Sequence, residues 1–149
     1  MSLNEDLSGA ANVAEALDCI VKDFAADSGT IHFMQADGLL HLSAATAGMP
    51  EAVLAIVRKI PIGKGMAGLA AERREPVTTC NIQTDTRGDV RPGARATAMA
   101  GAIVVPILNG DQLVGTLGIA NRAERTFSEA ERTRLMRAAE LLCALTQRA

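Results

Sequence analysis

Residues Gly101–Asn121 read GAIVVPILNGDQLVGTLGIAN. Two apolar runs rich in β-branched residues flank Asn109-Gly110, a dipeptide suited to the positive φ of a tight turn, so the stretch is expected to be a β-hairpin at the centre of a sheet. With a connection of two or four residues, cross-strand pairing assigns Val104, Pro106, Leu108, Leu113, Gly115, Leu117 and Ile119 to one face. Ile103, Val105, Ile107, Val114, Thr116, Gly118 and Ala120 then form the other, and a connection of three or five would change the assignment. Neither face is polar, so both need cover. The first carries bulk and suits helices. On the second, Thr116, Gly118 and Ala120 leave the strand shallow, which brings either a loop or a ligand close to the backbone.

On the N-terminal side, Val13, Leu17, Ile20, Val21 and Phe24 recur at helical spacing and predict an amphipathic helix over about residues 9–26. Thr30–Gln35 and Leu39–Ala45 flank Asp37-Gly38 and predict a second hairpin, with Ile31, Phe33, Leu40, Leu42 and Ala44 on one face and His32, Met34, His41 and Ser43 on the other. A short helix over Glu51–Arg58, an extended Ile60-Pro61-Ile62, a helix over Met66–Arg74 and an extended Val77–Thr79 follow. Asn81–Thr97 is polar and irregular, and so long a loop in a compact domain is expected to be a lid. Ser128 stands three residues before Glu131, a capping box that opens a last helix with an apolar stripe of Leu135, Ala138, Ala139, Leu142 and Leu145. The order predicts an α+β domain built on an antiparallel sheet.

The 149 residues suffice for one domain with a core of its own, over 1–149, with 1–8 expected to be a disordered tail. A net charge of -2, no Trp, no Tyr and three Phe argue against nucleic acid and against an anionic membrane surface. Cys19, Cys80 and Cys143 are scattered and odd in number, which suits a reducing, cytoplasmic setting. No apolar run reaches the roughly 20 residues that span a bilayer.

Ile60-Pro61-Ile62-Gly63-Lys64-Gly65-Met66-Ala67-Gly68, Glu75-Pro76-Val77, Gly101–Pro106, Gly115-Thr116-Leu117-Gly118 and Phe127-Ser128-Glu129-Ala130-Glu131 follow the order of motifs in a GAF domain, which this chain resembles over nearly its whole length. The resemblance implies a central antiparallel sheet of five to six strands, terminal helices on one face, and a small cavity under a loop-rich lid on the other. It also implies a sensory or regulatory module of signal transduction that binds an unidentified small molecule, dimerises through its terminal helices and works with a separate signalling partner. Fold alone does not name the ligand, and no cofactor is assigned.

On this reading Thr116, Gly118, Val105, Arg87, Arg95, Asp85 and Cys80 line or close the cavity, and Val13, Leu17, Leu142 and Leu145 serve the core or a dimer face. Arg87, Arg91 and Arg95 would share a helical face able to grip an anion, unless Asp85 and Asp89 neutralise them. A ligand-free assembly module is one alternative. Another is an enzyme like the free methionine sulfoxide reductases, which resemble GAF domains and carry several cysteines in the lid region. Cys19 and Cys143 fall on the terminal helices, so Cys80 has no resolving partner, and no catalytic residue is assigned and no enzyme expected.

Three further patterns have structural readings. Gly63-Lys64-Gly65-Met66-Ala67-Gly68 matches G-x-G-x-x-G but lacks the long parallel strand of a dinucleotide site, so its glycines are expected to let a helix start close to the sheet. His32 and His41 share a face in the expected pairing, yet no third ligand accompanies them and no metal is assigned. Asn121-Arg122, Phe127 and Glu131-Arg132 resemble part of a pattern found in cyclic-nucleotide-binding members, with a base where the last acid should be. The alternative is an Arg122–Glu131 ion pair pinning the loop before the last helix.

Overall fold

The computed structural model describes residues 12–84 and 99–147. Within them the order is α1 (Val13–Asp23), β1 (Ser28–Met34), β2 (Leu40–Ala45), α2 (Glu51–Val57), β3 (Lys59–Ile60), α3 (Gly65–Arg73), β4 (Val77–Thr79), β5 (Gly101–Asn109), β6 (Gln112–Asn121) and α4 (Glu129–Gln147). The six strands form one antiparallel sheet in the order β3-β2-β1-β6-β5-β4. Two hairpins, β1-β2 and β5-β6, are thus joined at the centre by β1 and β6. The fold is the α+β architecture that the sequence predicts.

Local chemistry accounts for the element ends. Asn12 caps α1 by accepting the Glu15 N–H at 2.9 Å. The capping box of α4 is complete: the Glu131 N–H donates to Ser128 Oγ at 3.1 Å and the Ser128 N–H to Glu131 Oε1 at 3.0 Å. Gly38 (φ +78°) and Gly110 (φ +63°) supply the left-handed backbone at the two hairpin turns. Pro106 sits in β5 beyond the stretch that β4 covers, since β4 stops at Val77, opposite Val104, and only β6 runs beside it, with Thr116 opposite.

The register corrects the expected faces. In β5-β6 the pairing runs Leu108↔Leu113 and then Ile107↔Gly115, so Val114 is an extra residue. In β1-β2 it runs Ile31↔Ala44 and then His32↔Leu42, leaving Ser43 extra. Each bulge shifts the second strand by one residue and turns its side chains over relative to the first. Ile103, Val105, Ile107, Leu117 and Ile119 therefore share a face, as do Ala102, Val104, Gly118 and Ala120. The bulge also makes Gly115 obligatory, since a Cβ there would lie 2.0 Å from the His32 carbonyl oxygen.

The bulky face is covered by the two terminal helices. Ala16, Leu17 and Ile20 of α1 and Leu135, Ala138, Ala139 and Leu142 of α4 pack on Ile31, Ile103, Val105, Ile107, Leu117 and Ile119 in one buried cluster. Burial of this kind contributes about 25 cal/mol per Å² of apolar surface and is the main force holding the layers together. Leu17 and Leu142, offered above for a dimer face, are 1% and 0% exposed and have no surface to give a partner. Val13 and Leu145 are half-buried against the same cluster.

The other face is divided. At one end Ala67 and Ala71 of α3 pack with Leu40, Ile60, Met34 and Leu113. Here the G-x-G-x-x-G stretch shows its purpose: a Cβ at Gly68 would sit 2.5 Å from the Pro61 carbonyl oxygen, and the Gly63 N–H donates to the Gly68 carbonyl at 2.8 Å. The glycines let α3 lie close to the chain that leads into it. The strand before them has two residues and pairs antiparallel with β2, so no dinucleotide site is built. At the other end the described residues leave a cavity over the sheet face. Among the described residues no helix is long and apolar enough to cross a membrane.

Candidate functional site

The other end of the shallow face is a cavity of about 390 Å³. Thr30 of β1, Ala102 and Val104 of β5, and Gly118 and Ala120 of β6 form its floor. Gly118 puts no side chain on the floor, where a Cβ would stand 3.3 Å from Val104 Cγ2 and 3.5 Å from Thr30 Oγ1. The walls are Val53 and Val57 of α2, the Thr46–Pro50 turn with Met49, Met66 in the first turn of α3, and Ile82 and Met99. Asp27, Ser28 and Arg122 stand at the rim, where β1 begins and β6 ends. A floor of small residues under aliphatic and thioether walls is the shape and chemistry of a small-molecule site.

Hydrogen bonds hold the walls in place. His32 Nε2 lies 2.8 Å from the Val57 carbonyl, and because a carbonyl only accepts, that nitrogen carries the proton. His32 is 2% exposed, and its burial pushes the imidazole pKa below the ordinary range, partly offset by the bond to Val57. The turn after β2 is anchored by Thr46, whose Oγ1 accepts the Gly29 N–H at 3.1 Å while its own N–H donates to the Gly29 carbonyl.

Beside the rim, Arg125 ties the surrounding elements together. Its Nη1 donates to the Phe24 carbonyl at 2.7 Å and to Asn121 Oδ1 at 2.9 Å, and its Nη2 to Glu131 Oε2 at 2.6 Å. The guanidinium lies 4.5 Å from the centre of the Phe127 ring, and the backbone N–H donates to the Cys80 carbonyl. The ion pair expected from Arg122 is therefore made by Arg125. Arg122 instead uses its backbone N–H, which donates to Asp27 Oδ2 at 2.8 Å. The Ser128 N–H and the Arg125 guanidinium hold the Glu131 carboxyl below its usual range.

Of the residues expected at the cavity, Gly118 lines it. Thr116 lies on the same face two residues away, but it is 1% exposed, outside the lining, on the stretch that α3 covers. Its Oγ1 has no hydrogen-bond partner among the described residues. Val105 is on the opposite face, buried beneath the terminal helices, because the bulge at Val114 reverses the face expected for it. Cys80 is exposed just after β4 and outside the lining, two residues before Ile82. Asp85, Arg87, Asp89, Arg91 and Arg95 lie outside the described residues. His32 and His41 fall on opposite faces, since His32 pairs with Leu42 and His41 with Phe33, the next residue along β1, and His41 Nε2 is 2.8 Å from Asp37 Oδ2. Among the described residues no three His, Cys, Asp or Glu side chains gather as a metal site would need. Sequence reasoning missed Thr30, Met49, Val53, Met66 and Met99; the visible signal was three methionines at element ends, each in loops or first turns.

A family model described as GAF domain matches residues 12–144. No curated protein matches the sequence. Among solved structures, the fold is similar to the GAF domain from an Acinetobacter phosphoenolpyruvate-protein phosphotransferase, at 18% identity and TM-score 0.77 over 99% of this chain and 89% of that one. It is similar to the free methionine-R-sulfoxide reductase of Neisseria meningitidis in complex with its substrate, at 17% identity and TM-score 0.78 over 99% and 87%. A domain named as part of a two-component sensor histidine kinase from Sinorhizobium meliloti gives 17% and 0.71 over 93% and 94%. At such identities the likeness shows the fold. It also corrects the expectation that the chain is no enzyme: free methionine-R-sulfoxide reductases share this architecture, so the fold gives no ground for excluding catalysis. By the family model, which spans most of its length, the chain belongs to the GAF domain family.

Proposed function

We propose that the chain is a small-molecule-binding regulatory module of signal transduction. The observation that carries the reading is the cavity of about 390 Å³, floored by Gly118 and walled by aliphatic and thioether side chains on the face opposite the terminal helices. A volume of 300–1,000 Å³ lined mainly by apolar groups with a few polar ones at the rim is the usual signature of a small-molecule site. The occurrence of this fold in a sensor kinase and a phosphotransferase supports a regulatory setting. In this reading occupancy favours one arrangement of the rim, and Arg125, which joins the rim to Phe24 at the end of α1 and Glu131 at the start of α4, passes the change to the terminal helices of a homodimer.

Native mass spectrometry of gently purified protein tests it. A small-molecule adduct is expected on the wild-type chain and is expected to be lost from Val104→Phe, whose ring would occupy the cavity. A wild-type chain without adduct, and without thermal shift across a metabolite library, contradicts the reading.

A second reading rests on the reductases that share the fold and on Cys80, exposed two residues from the cavity-lining Ile82. It is catalysis on the bound molecule. In that reaction the Cys80 thiol would take the sulfoxide oxygen as a sulfenic acid and release methionine. Two equivalents of an added thiol such as glutathione would return the sulfenic acid to the thiol, with loss of water and formation of a disulfide. Thiol-dependent reduction of free methionine sulfoxide, abolished in Cys80→Ser, is the expected outcome, and no turnover in the wild type contradicts it.

A further inference from the structure

We propose that the cavity's ligand is a free aliphatic α-amino acid, its charged end held by Asp27 and Arg122 and its side chain placed among the methionines. This rests on the reading of the cavity as a ligand site and names the class of ligand.

Charge is the first argument. Among the described lining residues the charged ones are Asp27 and Arg122, one of each sign. The Arg122 N–H donates to Asp27 Oδ2 at 2.8 Å, so the two residues are tied together at the rim. That bond engages one carboxylate oxygen with a neutral donor and leaves Oδ1 and the negative charge to face a cation. The Arg122 guanidinium, exposed, has no hydrogen-bond or ion-pair partner among the described residues. A forked guanidinium suits a carboxylate, and the neighbouring carboxylate suits an ammonium. A simple acid would face Asp27 and a simple amine Arg122, each a like charge. An ammonium and a carboxylate on one carbon satisfy both.

Wall chemistry and size complete the match. No aromatic or histidine side chain occurs among the described lining residues, so a planar base or pigment finds no stacking surface. Met49, Met66 and Met99 adapt instead to a flexible aliphatic chain. A cavity of 390 Å³ corresponds to about a dozen water volumes of roughly 30 Å³. After the five heavy atoms common to α-amino acids, room remains for about seven side-chain atoms.

Isothermal titration calorimetry on the whole chain tests this with alanine, 2-aminobutyrate, norvaline and norleucine, alongside N-acetylnorleucine and norleucinamide. Affinity is expected to rise about fourfold per methylene along the series. Masking either charge is expected to weaken norleucine binding about tenfold, as are Asp27→Asn and Arg122→Gln. Asp27→Asn keeps an acceptor for the Arg122 N–H, and both variants should melt with the wild type. Equal binding of the masked derivatives overturns the proposal, as does unchanged norleucine affinity in both variants. Failure of the whole series also overturns it. In that event a native adduct of another class, lost in Val104→Phe, leaves the ligand-site reading standing, and absence of any adduct removes both.

Discussion

Replacing Arg125 by alanine is expected to destabilise the fold by about 3 kcal/mol. The side chain is 21% exposed and makes three charge-assisted hydrogen bonds, to the Phe24 carbonyl, Asn121 Oδ1 and Glu131 Oε2, besides its contact with the Phe127 ring. Isolated bonds of this type contribute about 1.5–3 kcal/mol each, and the ring contact about 0.5–1. Three bonds from one partly solvated group fall well short of their sum, because water replaces Arg125 at Glu131 and Asn121 keeps its bond to the Ala25 carbonyl. The Phe24 carbonyl, at the end of α1, loses its partner with least access to water. For a chain of this size the loss corresponds to a fall of about 6–12 °C in Tm. Urea denaturation at constant m measures it directly. Arg125→Lys keeps the charge without the fork and should recover less than half of the loss. Arg122→Ala is the control, and it should stay within about 0.5 kcal/mol of wild type. A loss below about 0.5 kcal/mol in Arg125→Ala, or an equal loss in Arg122→Ala, would refute the assignment of the clasp to Arg125.

Two glycines in the same strand should respond oppositely. Gly115→Ala places a Cβ 2.0 Å from the His32 carbonyl oxygen and should prevent soluble expression or lower Tm by more than about 10 °C, whereas Gly118→Ala, with nearest contacts of 3.3–3.7 Å, should cost less than about 1.5 kcal/mol. Similar melting temperatures for the two would contradict the bulged register. Stability should also fall with acid through His32. Its folded pKa lies below the unfolded value of about 6.5, so above that pH both states are neutral and the contribution is complete. Below it the unfolded chain takes a proton that the buried ring resists, and stability is lost as the pH falls toward the folded pKa, at no more than about 1.4 kcal/mol per pH unit. His32→Gln, which can still donate to Val57, should flatten the dependence between pH 7.5 and about 5.5, and an unaltered slope would exclude His32 as its source.

Much of the fold was legible because local chemistry carried it. Asn109-Gly110 and Asp37-Gly38 closed hairpins, Ser128 and Glu131 opened the last helix, and the apolar stripes of α1 and α4 found the bulky face of the sheet. The faces themselves were misassigned beyond Val114 in β5-β6 and on the turn side of Ser43 in β1-β2. Alternation assumes an unbroken ladder, and a polar Ser43 or a Val114 beside Gly115 occurs in regular strands as well, so neither fixes the place of a bulge. Val105 went to the wrong side for that reason. The ion pair went to Arg122 because sequence spacing does not show which of two nearby arginines points inward. The cavity was foreseen as a shallow region near Gly118, but its walls come from α2, α3 and separate loops, in valines and methionines that look like any other core residue. Asp27 and Arg122 met only through folding, since they flank strands distant in the chain.

The most direct measurement is a methyl NMR spectrum of the chain labelled at its methionines, recorded before and after a small-molecule extract is added. Met49, Met66 and Met99 line the cavity, whereas Met34 packs beneath α3 and Met136 against the terminal-helix core. Occupancy of the cavity should move the first three methyl signals and leave the other two in place. Movement confined to Met34 and Met136, or none at all with any fraction of the extract, would contradict a small-molecule site on this face.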